Sequence, residues 1–203
     1  PDGRTITQAD VQGAETAIYV LSRIAGEGAD RYEKKGDYEP TDHEIEDLET
    51  LGRLVKHIIL ILNVGGQVDL QKICRMPNVQ AMLMIAQPGM EGGNAVADIL
   101  SGKETPSGKL TDTWAVDYHD YPNADTFSHQ NADTTTEKYE EGIYVGYRYF
   151  DSFAVKPMFP FGYGLSYTTF EVRGQYVMVN TERVQVVVTV TNTGAKYSGR
   201  EVV

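Results

Sequence analysis

The first half of the chain alternates between two hydrophobic patterns. Ala14 to Ile24 holds an apolar run, Ala17-Ile18-Tyr19-Val20-Leu21, without polar alternation. Such a run predicts a strand covered on both faces. Thr41-Asp42-His43-Glu44 has the spacing of a capping box, a hydroxyl at the N-cap and a carboxylate three residues on. Ile45, Leu48, Leu51, Leu54 and Val55 then recur at helical spacing. His57 to Val64 is a second buried strand stopped by Gly65-Gly66, and Val68 to Cys74 reads as a short helix. Val79 to Ala86 predicts a third strand closed by Pro88-Gly89, and Glu91 to Leu100 a helix ended by Ser101-Gly102-Lys103. This order predicts the α/β class: an open sheet with helices on both faces.

From Thr105 the pattern changes. Residues 117–136 and the tyrosine-rich Tyr139 to Tyr149 carry no helical period and read as a long surface connection. Beyond Tyr167 the chain turns all-β. Arg183 to Thr191 partly alternates, and Asn192-Thr193-Gly194 supplies a turn, as in the opening strands of a β-sandwich.

Composition narrows the class. The net charge of −11, with 18 Lys and Arg against 29 Asp and Glu, argues against nucleic acid or an anionic membrane as partner. The longest apolar run, Ile58 to Leu62, is far below the roughly 18 to 20 residues of a membrane span. Cys74 is the single cysteine and excludes an internal disulfide. Its setting reads as half-buried packing. One cysteine and no signal-like opening favour the cytoplasm without fixing the location. Both ends read as cuts within a longer sequence: Pro1-Asp2-Gly3 lacks an initiator, and Ser198 to Val203 begins an unfinished strand.

Open α/β sheets place ligands beyond the carboxyl ends of their strands. Three glycine-rich loops leave those ends here: Gly26 to Arg31, Asn63 to Gln67 and Gln87 to Gly93. The first reads Ser22-Arg23-Ile24-Ala25-Gly26-Glu27-Gly28-Ala29-Asp30-Arg31 and holds one carboxylate between two glycines. Glu27 so placed is either a solvated turn residue or a general acid, the latter if burial or a neighbouring negative charge raises its pKa. Arg23 and Arg31 act in the opposite direction. The histidines His43, His57, His119 and His129 are scattered, so a zinc site is not indicated. Gly89-Met90-Glu91-Gly92-Gly93 lacks the spacing of a nucleotide loop, and no GxSxG is present. No cofactor or metal is called for. The tyrosines Tyr139, Tyr144, Tyr147, Tyr149, Tyr163 and Tyr167 fit either a platform for sugar faces or packing at a domain interface.

Several blocks together carry a family resemblance: SRIAGEGADR, KKGDY, LNVGGQVDL, QPGMEGGNAVADILSGKETPSGKLTDTW, YEEGIYVGYRYFD and FPFGYGLSYTTF. In this order they resemble glycoside hydrolase family 3, above all its bacterial and fungal β-glucosidases. The resemblance implies the family's second domain, a six-stranded α/β sandwich incomplete at its N-terminus, over 1–166. Residues 105–166 form its long connection, and 167–203 begin a fibronectin type III-like domain. It implies a retaining, exo-acting mechanism on terminal β-D-glucosyl residues, with Glu27 as general acid/base. Gly26 and Gly28 would let the loop approach the sugar, and Arg23, Asp30 and Arg31 would fix its geometry. The family's nucleophile is an aspartate in an SDW segment of a (β/α)8 barrel; this sequence contains no SDW. The implied partners are a β-glucoside or oligosaccharide and the barrel of the same protein, with homo-oligomerisation open. Ala29 stands where many relatives carry an aromatic. A β-xyloside specificity, or a non-catalytic carbohydrate-binding or scaffold module, are the alternatives.

Overall fold

The computed structural model describes residues 4–24 and 30–201. In chain order its elements are α1 (Gln8–Val11), β1 (Thr16–Ser22), α2 (Asp42–Leu54), β2 (His57–Asn63), β3 (Val79–Met84), α3 (Gly92–Leu100), α4 (Tyr147–Ser152), β4 (Phe170–Val179) and β5 (Val184–Asn192). The chain divides into two compact units, one comprising residues up to 92 with 113–159, the other 93–112 with 160 onward.

The first unit is built on a parallel sheet in the order β1-β2-β3. Thr16 to Ser22 run in register with His57 to Asn63. β2 is the central strand, and Ile58, Leu60, Ile61 and Leu62 are all buried, as its unbroken apolar run predicts. β1 differs from expectation. Tyr19 and Leu21 are buried, but Ile18 and Val20 on the opposite face are about half exposed. That face of β1 is therefore not the covered one its apolar run predicts. The resemblance implies six strands in this sheet; three form it among the described residues.

α2 starts where the capping box places it. Glu44 N donates to Thr41 Oγ1 at 3.1 Å, and Thr41 N donates to Glu44 Oε2 at 2.8 Å. Leu48 and Leu51 then bury against the sheet, together with Val55 just past the helix end. Within that interface the Tyr19 hydroxyl donates to the buried Asp47 at 3.1 Å. Desolvation, with Asp47 beside it, pushes the Tyr19 phenol well above the ordinary tyrosine range.

Val68 to Cys74 is not the expected helix. Gln71 and Lys72 form a turn, and only Ile73–Arg75 is helical, as a 3₁₀ segment. The Asp69 carboxylate accepts Gln71 N at 2.8 Å, and Asp69 N donates to Tyr38 O at 2.8 Å. Those bonds divert the segment into a turn before a helix can start, with Val68 and Leu70 buried. Cys74 lies exposed rather than half-buried, its Sγ 3.9 Å from Met158 Sδ.

The long connection in this unit is tied down by aromatics. Trp114 bridges to Phe159 in a short antiparallel contact and is buried, as is Phe150 on α4, a helix the sequence pattern does not reveal. Tyr38, Tyr118, Tyr121 and Phe150 pack edge to face in succession, with centroids 5.1, 6.1 and 6.0 Å apart.

The second unit holds α3 and an antiparallel pair, β4-β5, with a bulge between Gly174 and Tyr176. Leu110 N donates to Tyr163 O and Gly162 N to Leu110 O, both at 2.8 Å. Lys109 Nζ donates to Gly164 O at 2.6 Å and lies 3.4 Å from Glu201. The FGYG turn is thereby fixed to the segment before it.

Candidate active site

The rim expected at the strand carboxyl ends is built by three adjacent chain exits. β1 ends at Ser22, and Arg23 N extends the ladder by donating to Asn63 O at 3.1 Å. Gly26, Glu27 and Gly28 lie outside the described residues, as do Ala25 and Ala29. The chain returns at Asp30, which is exposed, and Arg31, which is half-buried.

Arg23 is buried, and all five of its N–H groups have acceptors. Nη1 and Nη2 donate to the two oxygens of Glu44 at 2.7 and 2.8 Å. Nη1 also donates to Ser22 O at 2.8 Å, Nε to Asp37 O at 2.8 Å and Nη2 to Glu39 O at 3.2 Å. Arg23 therefore fastens the 37–39 turn to the end of β1, and its charge is matched by Glu44. Burial pushes the Glu44 carboxyl up, but the bonds from Arg23 and Thr41 outweigh it and hold the pKa below 4.5.

Arg31 is held differently. Nη2 donates to the Gln67 carbonyl. Nη1 is shut off from solvent and has no acceptor, and no ion pair reaches this guanidinium among the described residues. Burial lowers its pKa, with Asp37 acting against that and Arg23 adding to it. Glycine at 66 leaves this contact room, since a Cβ there would stand 3.1 Å from Arg31 Nη2, a tight approach.

Gln67 is the junction of the rim. Its Nε2 donates to Thr113 O at 3.1 Å, and its Oε1 accepts the Tyr121 hydroxyl. That hydroxyl in turn accepts Ala115 N at 2.9 Å. The exit of β2, the loop after β1 and the long connection thus meet at one residue, through its carbonyl and its side chain. Beyond β3, Ala86 takes a left-handed φ of 51°, a conformation that costs a non-glycine residue energy.

The structure thus places Arg23 and Arg31 together at the rim and leaves Asp30 at the surface. It adds Gln67, which ends one of the three expected rim loops, together with Glu44 and Tyr121, which the sequence does not assign to the site. Gln67 had a signal, since it follows Gly65-Gly66 at a strand's carboxyl end. Tyr121 had none, lying 54 residues away in sequence. The tyrosine cluster is divided: Tyr139, Tyr144, Tyr147 and Tyr149 belong to the first unit, Tyr163 and Tyr167 to the second. Among the described residues no group of three His, Cys, Asp or Glu side chains could hold a metal, and no helix is long and apolar enough to cross a membrane. A concavity of about 310 Å³ lies against the amino-terminal half of β1, lined by Ile6, Val11, Ala17, Ile18, Leu51 and Val55. It contains none of the rim residues.

Residues 2–147 match the family model of the glycosyl hydrolase family 3 C-terminal domain. The chain belongs to glycosyl hydrolase family 3. It is 39% identical over 193 residues to a beta-glucosidase of Ruminococcus albus, covering 95% of this chain and 20% of that protein. Beta-glucosidase A of Butyrivibrio fibrisolvens is 40% identical over 182 residues, covering 77% of this chain and 22% of its own. Among solved structures, beta-glucosidase 3B of Thermotoga neapolitana with α-D-glucose superposes with a TM-score of 0.84 at 38% identity, over 93% of this chain and 27% of that one. A beta-glucosidase of Paenibacillus barengoltzii gives 0.83 at 39% identity, over 97% and 22%. The chain spans about a fifth of the length of these curated relatives.

Proposed function

We propose that this chain is the acid/base-bearing part of a retaining, exo-acting β-glucosidase. The observation that carries the reading is the place of Gly26-Glu27-Gly28 in the sequence. The motif follows soon after Ser22, the last residue of β1, in a member of a family whose named relatives are beta-glucosidases and one of whose solved structures holds glucose. Glu27 donates its proton to the glycosidic oxygen as the C1–O bond breaks, while an aspartate on the barrel of the full-length protein bonds to C1. Water then attacks C1, gives its proton to the ionised Glu27, and the aspartate leaves with its electron pair. Retention requires the two carboxyls about 5 to 5.5 Å apart. Closeness to the ionised nucleophile raises the Glu27 pKa in the first step, and loss of that charge on glycosylation lets it ionise for the second.

Arg23, Asp30 and Arg31 support the two ends of the loop in this scheme, and Gly26 and Gly28 leave room for the sugar. The substrate is a β-glucoside or oligosaccharide, and β4-β5 opens a fibronectin type III-like domain. Glu27→Gln in the full-length protein tests the role. Turnover of an unactivated disaccharide should fall at least a hundredfold, whereas an aryl glucoside with an acidic leaving group should lose far less in its first step. Activity on the disaccharide within about threefold of the parent would remove Glu27 from the mechanism.

A further inference from the structure

Residues 142–153 hold apolar side chains in water on a shaped support. Gly142 and Gly146 both take a φ of 57°, and a Cβ at either would meet nothing within 4 Å. Glycine is needed there for the backbone angle and not for space. The two positions bound Ile143-Tyr144-Val145. Tyr144 N donates to Glu141 O at 2.9 Å, and the Glu141 carboxylate accepts the Asn123 side-chain amide. α4 follows at once and buries Phe150 alone. Ile143 is left 72% exposed, Phe153 56% and Val145 50%, with Tyr144 edge to face on Phe153 at 5.1 Å. Single apolar side chains at a surface are ordinary, but a group of them on a glycine-shaped turn marks a docking surface. The patch is continuous with the rim. From Gln67, whose Oε1 accepts the Tyr121 hydroxyl, ring contacts run from Tyr121 to Phe150 at 6.0 Å and from Phe150 to Tyr149 at 5.9 Å. They continue from Tyr149 to Phe153 at 5.0 Å, and so to Tyr144.

We propose that this patch, Ile143, Tyr144, Val145 and Phe153, is where the nucleophile-bearing domain of the full-length protein docks on the first unit. Its chemistry selects a protein over a sugar. A sugar site surrounds its stacking ring with polar groups that bond the hydroxyls. Ile143 and Val145, on either side of Tyr144, offer neither a ring nor a side-chain hydrogen bond. The chain also matches only about a fifth of the length of its relatives, so in those proteins about four-fifths of the polypeptide lies outside the matched part and is there to cover it. The identity of the docking domain rests on the two-carboxylate reading above; the contact itself does not need Glu27. That reading requires two carboxyls from separate domains to be held about 5 to 5.5 Å apart. A fixed apolar contact joined to the rim by packed rings sets the two domains at one spacing.

The test uses the full-length protein. Tyr144→p-benzoylphenylalanine puts a photoreactive ring in place of a ring; the variant is irradiated and its cross-linked peptides are identified by mass spectrometry. The expected product joins residue 144 to the nucleophile-bearing domain within one chain. Should this variant not fold, Phe153→p-benzoylphenylalanine is read in the same way. A cross-link between two chains assigns the patch to a second copy, and one quenched by a β-gluco-oligosaccharide assigns it to carbohydrate; either overturns the proposal. So does a cross-link confined to residues 1–203, or none in a folded variant. Val145→Asp supplies a kinetic arm, since it would bury a carboxylate in the apolar contact. Its kcat/KM should fall at least about tenfold on a disaccharide and on an aryl glucoside alike, with the circular dichroism spectrum unchanged. Parental kcat/KM on both substrates overturns the proposal. The two claims fail separately. Parental turnover in Glu27→Gln beside the expected cross-link removes the acid/base role and keeps the docking surface, whereas a slowed Glu27→Gln without the cross-link does the reverse.

Discussion

The Arg23–Glu44 pair makes a quantitative demand on stability. Glu44→Gln keeps the volume and an acceptor for the Thr41 amide, but leaves a guanidinium buried without its counter-charge. The two side chains are only 6% and 15% exposed. Breaking a buried pair by removing one partner costs about 3 to 5 kcal/mol. Arg23 keeps its three carbonyl acceptors, so the lower end, about 3 kcal/mol, applies to Glu44→Gln. Glu44→Ala also removes the acceptor of Thr41 N, adding about 1 kcal/mol. For a chain of this size 1 kcal/mol corresponds to about 2 to 4 °C, so the alanine variant should melt about 8 to 16 °C below the parent. Urea titrations at pH 7 give the free energies and circular dichroism the melting points. pH supplies a second check with a definite sign. The folded pKa of Glu44 is lowered from 4.5. Its contribution is therefore complete above about 4.5 and is lost as pH falls through the folded value, so parent and variants should converge at low pH. A Glu44→Gln variant within about 1 kcal/mol of the parent at pH 7 would refute the reasoning.

Two further substitutions probe the scaffold. Tyr19→Phe removes the hydroxyl that donates to buried Asp47, leaving His43 Nε2 at 3.7 Å, and should cost about 1 to 3 kcal/mol by urea titration; an unchanged midpoint contradicts it. Gly164→Ala would set a Cβ 2.5 Å from Gly108 O and 2.9 Å from Lys109 Cδ. It should destabilise the second unit by about 1 to 3 kcal/mol and speed hydrogen exchange at Leu110 and Gly162. Parental protection at both amides would show that the turn relaxes freely.

Local signals were legible in the sequence, and long-range ones were not. The capping box at Thr41 and the buried run of β2 follow from spacing and apolarity within a few residues. The uncovered face of β1 does not, because an apolar run is the same whether or not a neighbour covers it. Val68 to Cys74 departs from the helix its pattern predicts because Asp69 bonds to Gln71 and Tyr38 instead of starting one. At the rim, Glu44 was visible as a helix cap but not as the partner of Arg23, a contact across 21 positions. Gln67 and Tyr121 meet across 54. The loop motif marked where chemistry is expected, whereas the residues that brace it belong to the fold and carried no motif of their own.

The central claim, that Glu27 is the general acid/base, is tested most directly by Glu27→Ala in the full-length protein. The variant is given an activated β-glucoside and azide, and the product anomer is read by NMR. With the acid/base removed, azide enters the face that water normally uses and attacks the glycosyl-enzyme. The account predicts restored turnover and β-glucosyl azide as product. An α-glucosyl azide, or no rescue in a folded variant, would contradict it.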